Sequence, residues 1–518
     1  MARRERFTVP CLILVSAVAF AAGQKDAKPA AGTPGTAASG VPFASTLELK
    51  IMQGHRQPYD EFPAVEKEIQ ARTNTKITYI KVPQANFTEK LNITLASGDL
   101  PDLVHFSSTD QLATWIDQGA VIALDELLGK YGARITRWYT PEDFKNVKNP
   151  VDGKIYGVAG LSELKEINSI GIREDWLKDL GLKAPGTMAE WETTLQAFKK
   201  ADPAGKGSTI PWAGELRSFF HAYGIMRSGS NGAWTVTKEG KYIPIYEHPR
   251  YREALETVRR LYAAGLVDKE YMVRNRDLKA LQEPFYQGIA GSGEHAANRL
   301  EQISVSLREK KPDAKLAPIV PIKGPYGDQM ILGRDRYYNR AGITVSARKA
   351  GKAEKVMQYL DWMFSDAGTE LVNYGVEGKH HRKVDGKPVL LDPYNQGWDA
   401  LRKDGLNYTL LTACVWSVDA YKQSLMRGKT LEQLSVTERI TYDGLFLNTP
   451  YIFQPLITFD TPANRTKGPD VYPVLAEKET LAIIGDIGVD AFFAALAEVK
   501  RTGLDQITRE TQELWGRL

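Results

Sequence analysis

The amino-acid sequence predicts an α/β protein in which parallel strands alternate with helices. Between residues 47 and 106, three β-rich runs alternate with two amphipathic helical runs. This order predicts a parallel sheet that is covered by helices on both faces. The chain has 518 residues, which is enough for two large domains. Hydrophobic residues make up 43% and charged residues 25% of the chain, and these proportions are typical of globular proteins.

The N-terminal elements are each marked by a periodicity or an end signal. Alternating apolar residues in 47–51 and a β-rich run in 77–82 predict two strands. Between them, apolar residues at helical spacing in 62–69 predict a helix. A capping-box arrangement opens a second helix at Asn86, and Gly98 ends it. A third strand follows directly.

Helix signals continue along the rest of the chain. A capping box opens at Thr187, and residues 251–264 place their apolar side chains on one face before Gly265. The C-terminus carries two further helical segments, 490–501 and 505–515. The sequence shows no internal repeat of fixed period, which argues against a solenoid or a propeller.

An export signal is predicted at the N-terminus. Arginines precede the apolar run 11–21, and Ala19-Phe20-Ala21 is a small-x-small cleavage pattern. We therefore assign residues 1–21 to a signal peptide and residues 22–45, rich in Ala, Gly, Pro, Ser and Thr, to a flexible leader. An uncleaved N-terminal anchor is the alternative. No Cys follows the cleavage site, so a lipid anchor is not predicted, and we expect a periplasmic or other extracytoplasmic location.

The net charge and the cysteine content argue against several classes of function. The whole chain carries +4, and residues 1–21 contribute three Arg and one Glu, so the mature chain carries +2. A nearly neutral chain argues against nucleic acid as the main partner. After cleavage only Cys414 remains, which leaves no internal disulfide and no cysteine-based metal site. The mature chain has no apolar segment long enough to span a membrane, so we expect a soluble protein. We also expect a monomer.

Five motifs occur along the chain in a fixed order. They are SGDLPD at 97–102, DGKIYG at 152–157, IREDWL at 172–177, MFSD at 363–366 with NYGVEG at 373–378, and GLD at 503–505. In order and spacing they resemble the extracellular solute-binding proteins of ABC importers, family 1, in the long LplA-like branch. The resemblance covers roughly residues 46–518.

The resemblance implies a two-lobe periplasmic-binding-protein fold of type II, a Venus flytrap with a hinge. We expect an N-terminal lobe of residues 46–158 plus 337–385 and a C-terminal lobe of 159–336 plus 386–518. The implied function is to capture a small solute in the cleft between the lobes, with an oligosaccharide favoured, and to deliver it to the membrane permease subunits of an importer. Neither catalysis nor a cofactor is expected.

Candidate ligand-binding residues are aromatic, charged or hydroxyl side chains near strand ends or the expected hinge. Aromatic rings cover the C–H faces of sugars, while carboxylates and Arg bond to the hydroxyl rim. Trp212 is the first candidate, because it lies in a predicted loop before an aromatic helix. The other candidates are Glu215, Glu294, His295, Tyr338, Arg340, Trp416, His55 and Ser108.

No metal site is predicted. Relatives in the resembled family often carry a calcium loop where residues 202–211 stand, but here only Asp202 supplies a carboxylate and Lys206 adds positive charge. Calcium needs six or more oxygen ligands, so we expect the turn to persist without the metal. His380 and His381 are adjacent and flanked by basic residues, which predicts a solvated loop rather than a metal pair.

Two alternative functions remain open. A secreted carbohydrate-active enzyme would need a pair of carboxylates across a cleft, and counting acidic residues does not exclude one. However, the sequence contains no Gly-x-Ser-x-Gly elbow, phosphate loop or His-Glu-x-x-His motif. A surface adhesion or sensor module would be favoured by a helical spacer or an added domain, and neither is visible.

Overall fold

The structure is a computed structural model that describes most of the chain after residue 42. The described residues are 43–55, 64–149, 151–165, 167–227, 233–274, 278–333, 336–396, 414–453 and 461–517. The predicted signal peptide and residues 22–42 of the predicted leader lie outside them. None of the described helices combines the length and the apolar character that crossing a membrane requires.

Strands and helices alternate along the described chain. The strands are β1 Leu47–His55, β2 Thr75–Pro83, β3 Leu103–Phe106, β4 Val158–Ser162, β5 Asn168–Arg173, β6 Ile210–Trp212, β7 Trp234–Val236, β8 Tyr242–Pro244, β9 Ala290–Ala296, β10 Leu316–Ile319, β11 Ile331–Leu332, β12 Tyr337–Ile343, β13 His381–Val384, β14 Lys387–Leu390, β15 Val415–Trp416 and β16 Ile452–Phe453. The helices are α1 Ala64–Thr73, α2 Phe87–Ser97, α3 Thr109–Asp117, α4 Asp125–Tyr131, α5 Ala133–Trp138, α6 Pro141–Val147, α7 Glu174–Asp179, α8 Met188–Ala201, α9 Arg217–His221, α10 Tyr251–Ala263, α11 Tyr271–Arg274, α12 Leu278–Tyr286, α13 Ala297–Lys310, α14 Val345–Lys349, α15 Ala353–Met363, α16 Asp366–Tyr374, α17 Val418–Met426, α18 Val436–Phe446, α19 Pro462–Ile484, α20 Val489–Val499 and α21 Asp505–Trp515.

Most elements that the sequence predicts are present. The order β1, α1, β2, α2, β3 confirms the predicted alternation, and Gly98 ends α2 in a left-handed conformation. Thr187 forms the predicted capping box at the start of α8. Asn86 makes no capping hydrogen bond, so the capping box predicted there is wrong. The chain instead enters α2 through one turn of 3₁₀ helix.

The first sheet has six strands in the order β15-β4-β12-β3-β1-β2. β1 runs parallel to β2 and β3, and β4 runs parallel to β15. β12 lies between β3 and β4 and is antiparallel to both. Apolar side chains are buried on both faces of the sheet, for example Ile51 and Leu103 on one face and Met52 and Val104 on the other. The strands therefore form an inner layer between helices, as the alternating pattern predicts.

The second sheet has four strands in the order β10-β5-β9-β6. β5 is antiparallel to β9 and β10, while β6 runs parallel to β9. A separate aromatic core covers this sheet, and it includes Trp176, Trp191, Phe198 and Trp212. The C-terminal helices α19, α20 and α21 contribute to the same core. The C-terminal segment therefore completes the second core.

Short connections join the two sheets at matching edges. The carboxyl ends of β1, β2, β3, β4 and β15 share one edge, which we call the first edge, and the carboxyl ends of β6, β9 and β10 share another, the second edge. Residues 163–167 lead from the end of β4 to the start of β5, and residues 320–336 lead from the end of β10 to the start of β12. Each connection joins the first edge to the second edge. The shorter connection spans at most roughly 20 Å, so the two edges lie close together there.

The connecting segments pack against one another. β11, in the longer connection, pairs with β16, and Gly333 N donates a hydrogen bond to Phe453 O at 2.8 Å. Asn168 Nδ2, at the end of the shorter connection, donates to Leu332 O at 2.9 Å. A small apolar cluster also includes a residue of the shorter connection. It consists of Leu164, Ala297, Tyr421, Leu425 and Leu445. These contacts define where the chain passes between the two sheets.

The expected division into lobes stays a prediction, and the strand pairing departs from it at two places. Residues 415–416 form β15 in the first sheet, although the expected division gives residues 386–518 to the C-terminal lobe. β4 extends to Ser162, beyond residue 158, where the expected first segment of the N-terminal lobe ends. In both cases the reason is strand pairing, because β15 joins the edge of the first sheet by hydrogen bonding to β4.

Glu66 is a buried carboxyl group on the helix that covers β1 and β2. Its side chain is only 1% exposed, and neither carboxylate oxygen has a hydrogen-bond partner. Lys81 Nζ lies 3.9 Å from Glu66 Oε2. Burial raises the pKa of Glu66 to about 7, with the charge of Lys81 opposing the shift. Tyr79 and Tyr359 lie close enough for the charge of Glu66 to raise their pKa values.

We predict that Glu66 makes the protein less stable as the pH rises from about 4.5 to about 7. In this range the unfolded chain has released the Glu66 proton while the folded protein still holds it, so the free energy of unfolding falls. Glu66→Gln should therefore be more stable than the wild type at pH 8, by on the order of 2 kcal/mol, and similar to it at pH 4. Urea unfolding at both pH values tests this. An equal difference between the two proteins at both pH values would contradict it.

Candidate functional site

The first edge brings together five of the residues that the sequence singled out. β1, β3, β4 and β15 end there, and β12 begins there because it runs in the opposite direction. The five residues on these strands or directly after them are His55, Ser108, Tyr338, Arg340 and Trp416. The backbone of His55 and Tyr338 is described, but their side chains lie outside the described part of the structure.

Two of these residues are nearly enclosed by protein. Arg340 pairs with Phe106 across β12 and β3, and Trp416 pairs with Ser162 across β15 and β4. Both side chains are largely buried. Ser108 has a structural task, because its hydroxyl group accepts a hydrogen bond from Gln111 N and caps α3. A role for these side chains in ligand binding remains a prediction.

The second edge holds a further group of predicted residues. Glu215 follows β6, whereas Glu294 and His295 lie near the end of β9. Since β6 and β9 are parallel neighbours, their carboxyl ends place these three residues at one edge. The structure thus divides the predicted residues between two edges that the short connections hold near each other.

Trp212 lies in the core, which corrects the expectation that its ring covers a ligand. The side chain is 0% exposed. Its ring meets Trp191 edge-on at 5.4 Å between centroids and lies 4.8 Å from Phe219. Residues Ile210–Trp212 form the buried strand β6 rather than a loop. Because neighbouring rings enclose the indole, it has no free face for a sugar.

Glu294 is a fully buried carboxylate with fixed partners. It is 0% exposed, and it accepts hydrogen bonds from Arg217 Nε at 2.8 Å and from Ser218 Oγ. The preceding residue, Gly293, lies very close to the segment that follows β6, and a Cβ atom on Gly293 would stand 1.8 Å from Ala213 O. The close approach of β9 to the segment after β6 places Glu294 beside the start of α9.

The electrostatics of the second edge combine one ion pair with two perturbed groups. Burial raises the pKa of Glu215, and the charge of Arg217 opposes this shift. Burial lowers the pKa of His295 to about 4, so its imidazole is neutral at neutral pH. His295 Nε2 is buried and has no hydrogen-bond partner. This edge therefore offers carboxylate, guanidinium and neutral imidazole groups that are held in place.

Asp110 is a candidate that the sequence analysis missed. It lies in the first turn of α3, two residues after Ser108, at the first edge. Its Oδ1 atom is buried and has no hydrogen-bond partner. Burial raises the pKa of Asp110, while the charges of Arg340 and Arg465 lower it. The sequence did contain a signal, because a polar turn directly follows the buried strand β3. Of that turn, only the serine was taken as a candidate.

Arg465 links α3 to a helix of the second core. Its guanidinium group donates to the carboxylate of Asp117, the last residue of α3. Arg465 itself lies on α19, which packs in the core around the second sheet. Asp110 is therefore near basic side chains from both sides of the connection, Arg340 from the first sheet and Arg465 from the second core.

The turn at 202–211 has the expected conformation. The carboxylate of Asp202 accepts hydrogen bonds from Gly207 N at 2.7 Å and from Thr209 N at 3.1 Å. The side-chain hydrogen bond from Thr209 contributes most to lowering the pKa of Asp202, and the backbone amides of Gly207, Thr209 and Gly205 lower it further. The carboxylate of Asp202 thus closes the turn by accepting hydrogen bonds from backbone N–H groups, and the absence of a metal from this turn stays a prediction.

His380 and His381 are both buried, which corrects the expectation of a solvated loop. The His380 ring packs edge-on against Tyr394, and its Nδ1 accepts a hydrogen bond from Val376 N at 2.9 Å. His381 begins β13, and β13 and β14 form a hairpin. The turn before the hairpin draws both rings inward, while the flanking basic side chains remain at the surface.

Comparison with known proteins identifies relatives over nearly the whole chain. A family model described as bacterial extracellular solute-binding protein matches residues 57–370. Lipoprotein LipO of Bacillus subtilis is 25% identical over 490 residues, which cover 90% of this chain and 92% of LipO. The polygalacturonan/rhamnogalacturonan-binding protein YtcQ of Bacillus subtilis is 24% identical over 465 residues, 89% of each chain.

A solved structure shows the same fold. The alginate-binding protein AlgQ2, in a crystal structure without calcium ion, superimposes with a TM-score of 0.70 at 24% identity. The match covers 92% of this chain and 99% of that chain. The expected fold class, a type II periplasmic-binding-protein fold, is thereby confirmed.

We predict that Gly293→Ala strongly destabilises the protein. The added Cβ atom would overlap Ala213 O, so β9 and the segment after β6 would have to separate. This should lower the free energy of unfolding by about 3 kcal/mol. The matched control is Gly129→Ala on α4, where a Cβ atom meets nothing within 4 Å and helix propensity should rise. Urea unfolding followed by circular dichroism measures both variants. Equal stability of Gly293→Ala and the wild type would show that the edge tolerates the change.

Proposed function

Because this chain belongs to the bacterial extracellular solute-binding protein family, we propose that it captures an oligosaccharide between its two strand edges and delivers it to the permease subunits of an ABC importer. The observation that carries the proposal is the pair of carboxyl edges, which short connections hold near each other. In open α/β sheets, ligands bind outside the carboxyl ends of the strands. Two such edges side by side provide a site with two walls.

The side chains at these edges suit a hydroxyl-rich ligand. Asp110 offers a buried carboxylate oxygen that lacks a hydrogen-bond partner, and such an oxygen gains most from accepting a hydrogen bond from a sugar hydroxyl group. At the second edge, Arg217 and Glu294 form an ion pair with a fixed geometry. Preorganised polar groups bind sugars at low entropic cost because they need not be ordered on binding.

The relatives support a carbohydrate as the ligand. The name of YtcQ states that it binds polygalacturonan and rhamnogalacturonan, and AlgQ2 is described as alginate-binding. We extend the carbohydrate class to this chain. An extracytoplasmic location follows from the same role, because an importer collects its solute outside the cytoplasmic membrane.

The protein acts by binding, without chemical change to the sugar. Closure around a ligand depends on contacts that the ligand makes only with both edges together. A carboxylate pair used for hydrolysis would need one acid with a proton to donate and a second carboxylate across the bond. Glu294 is instead held by Arg217 and Ser218, an arrangement suited to accepting hydrogen bonds.

We predict that an oligosaccharide of the correct type raises the melting temperature and remains intact. A ligand at 100 times its dissociation constant adds about 2.7 kcal/mol, which corresponds to roughly 5–10 °C for a protein with large domains. The experiment measures thermal unfolding with a panel of neutral and uronate oligosaccharides and analyses the sugars afterwards by mass spectrometry. Cleaved sugar would favour the secreted enzyme, and no shift with any saccharide would contradict the proposed ligand class.

We further predict that Asp110→Asn weakens binding of that oligosaccharide at least tenfold, about 1.4 kcal/mol, because it removes the charged acceptor. The matched control is Asp99→Asn, whose side chain is 80% exposed on the same half of the molecule. Isothermal titration calorimetry measures both affinities, and thermal unfolding checks that both variants fold. Equal affinities for the two variants would exclude Asp110 from the site.

A further inference from the structure

Three side chains with metal-binding atoms meet at the start of the β13–β14 hairpin, beside α16. Glu370 lies on α16, Glu377 lies in the turn after it, and His381 is the first residue of β13. One ligand atom from each residue lies within 4.8 Å of the others. Their separation in sequence is small, but the turn from 375 to 380 is needed to bring them together.

The orientation of the His381 ring leaves one nitrogen facing the two carboxylates. Its side chain is 1% exposed, and Nδ1 lies 3.0 Å from Tyr374 O. A carbonyl oxygen only accepts hydrogen bonds, so Nδ1 carries the proton in the neutral ring. The lone pair of Nε2 then points toward Glu370 Oε1, which is 3.5 Å away, and Nε2 has no hydrogen-bond partner.

A lone pair that faces a carboxylate is unfavourable unless a positive charge lies between them. A metal ion supplies that charge and uses both atoms as ligands. Metal-binding histidines usually donate their other ring N–H to a carbonyl or carboxylate, which fixes the ring. The hydrogen bond from His381 Nδ1 to Tyr374 O is of this kind.

A cation already lies beside the two carboxylates. Lys383 Nζ is 3.0 Å from Glu370 Oε1 and 3.8 Å from Glu377 Oε2. The Lys383 side chain is partly exposed and has a flexible stem, so it can leave for solvent when another cation binds. The position between the carboxylates therefore favours positive charge, and the lysine competes for it.

We propose that Glu370, Glu377 and His381 bind a divalent transition-metal ion of the Zn²⁺ type, with water as a further ligand. One imidazole nitrogen and two carboxylate oxygens suit zinc, whereas calcium and magnesium prefer oxygen ligands alone. Zinc ligands lie about 2.0–2.2 Å from the metal, so the three side chains must draw closer than they are without it. Glu377 is exposed and can make most of this movement.

Metal binding at this site would fasten the hairpin to α16. Glu370 belongs to the helix, and His381 belongs to the first strand of the hairpin. A bond to both therefore adds stability to the folded protein by mass action. None of the three proposed ligand residues is among the residues at the two strand edges that we assign to the sugar, so a variant at this site removes no sugar-binding side chain.

The test titrates tag-free protein with Zn²⁺ by calorimetry and by thermal unfolding. The wild type should bind one Zn²⁺ ion and melt at a higher temperature, and EDTA should reverse the shift. Glu377→Gln should weaken binding at least tenfold without loss of folding, because this side chain is exposed. Lys383→Met should bind at least threefold more tightly, because the competing cation is gone.

Two controls make the outcome decisive. Glu126→Gln changes an exposed glutamate that is distant in sequence from the three proposed ligands. This variant should bind Zn²⁺ like the wild type. Ca²⁺ and Mg²⁺ at the same concentrations should shift the melting temperature less than Zn²⁺. Equal Zn²⁺ affinity in all variants would place the metal elsewhere and overturn the proposal, as would weaker binding in Lys383→Met.

Discussion

The architecture depends on how the chain passes between its two sheets. Residues 163–167 are too few to separate the carboxyl end of β4 from the start of β5 by more than roughly 20 Å. The longer connection, 320–336, joins the same two edges in the return direction. Polar side chains that follow strands in either sheet are thereby gathered in one region, although they come from distant parts of the sequence.

Buried ion pairs hold charged side chains in place at the second edge and in the second core. Arg217 holds Glu294 at the second edge, and farther away Arg227 binds both oxygens of Glu479 at 2.8 and 3.0 Å. The hydroxyl group of Tyr251 donates to the same glutamate, which ties α19 to α10. A buried charge is costly unless it is paired, so these partners fix side-chain positions as well as stabilising them. At the first edge, Asp110 keeps one buried carboxylate oxygen without a hydrogen-bond partner, and this oxygen can accept a hydrogen bond from a ligand.

Periodicity predicted the elements of the fold better than it predicted exposure. The alternation over residues 47–106, the capping box at Thr187 and the apolar face of 251–264 are local patterns, and the structure contains each of them. The pairing of β15 with β4 is a contact between residues about 250 positions apart, and no local pattern contains it. For this reason the lobe division drawn from the sequence, which stays a prediction, did not include the pairing of residues 415–416 with the first sheet.

In the candidate site, too, the sequence predicted positions along the strands better than it predicted whether side chains are exposed. The sequence placed His55 and Ser108 after strands, and the structure has them at the last residue of β1 and just beyond β3, while their role in ligand binding stays a prediction. Whether a side chain there is exposed depends on neighbours that are distant in sequence, as with Trp212, which Trp191 and Phe219 enclose. The burial of His380 and His381 likewise depends on a turn and a hairpin that adjacent histidines do not reveal.

The central claim is that both strand edges contact one ligand. Hydrogen–deuterium exchange of the full mature protein, with and without a saturating oligosaccharide, measures this at individual segments. We predict slower exchange both at the start of α3, residues 109–112, and at residues 214–218 before and within α9. Protection at only one of these segments, or at neither, would contradict a site formed by the two edges together.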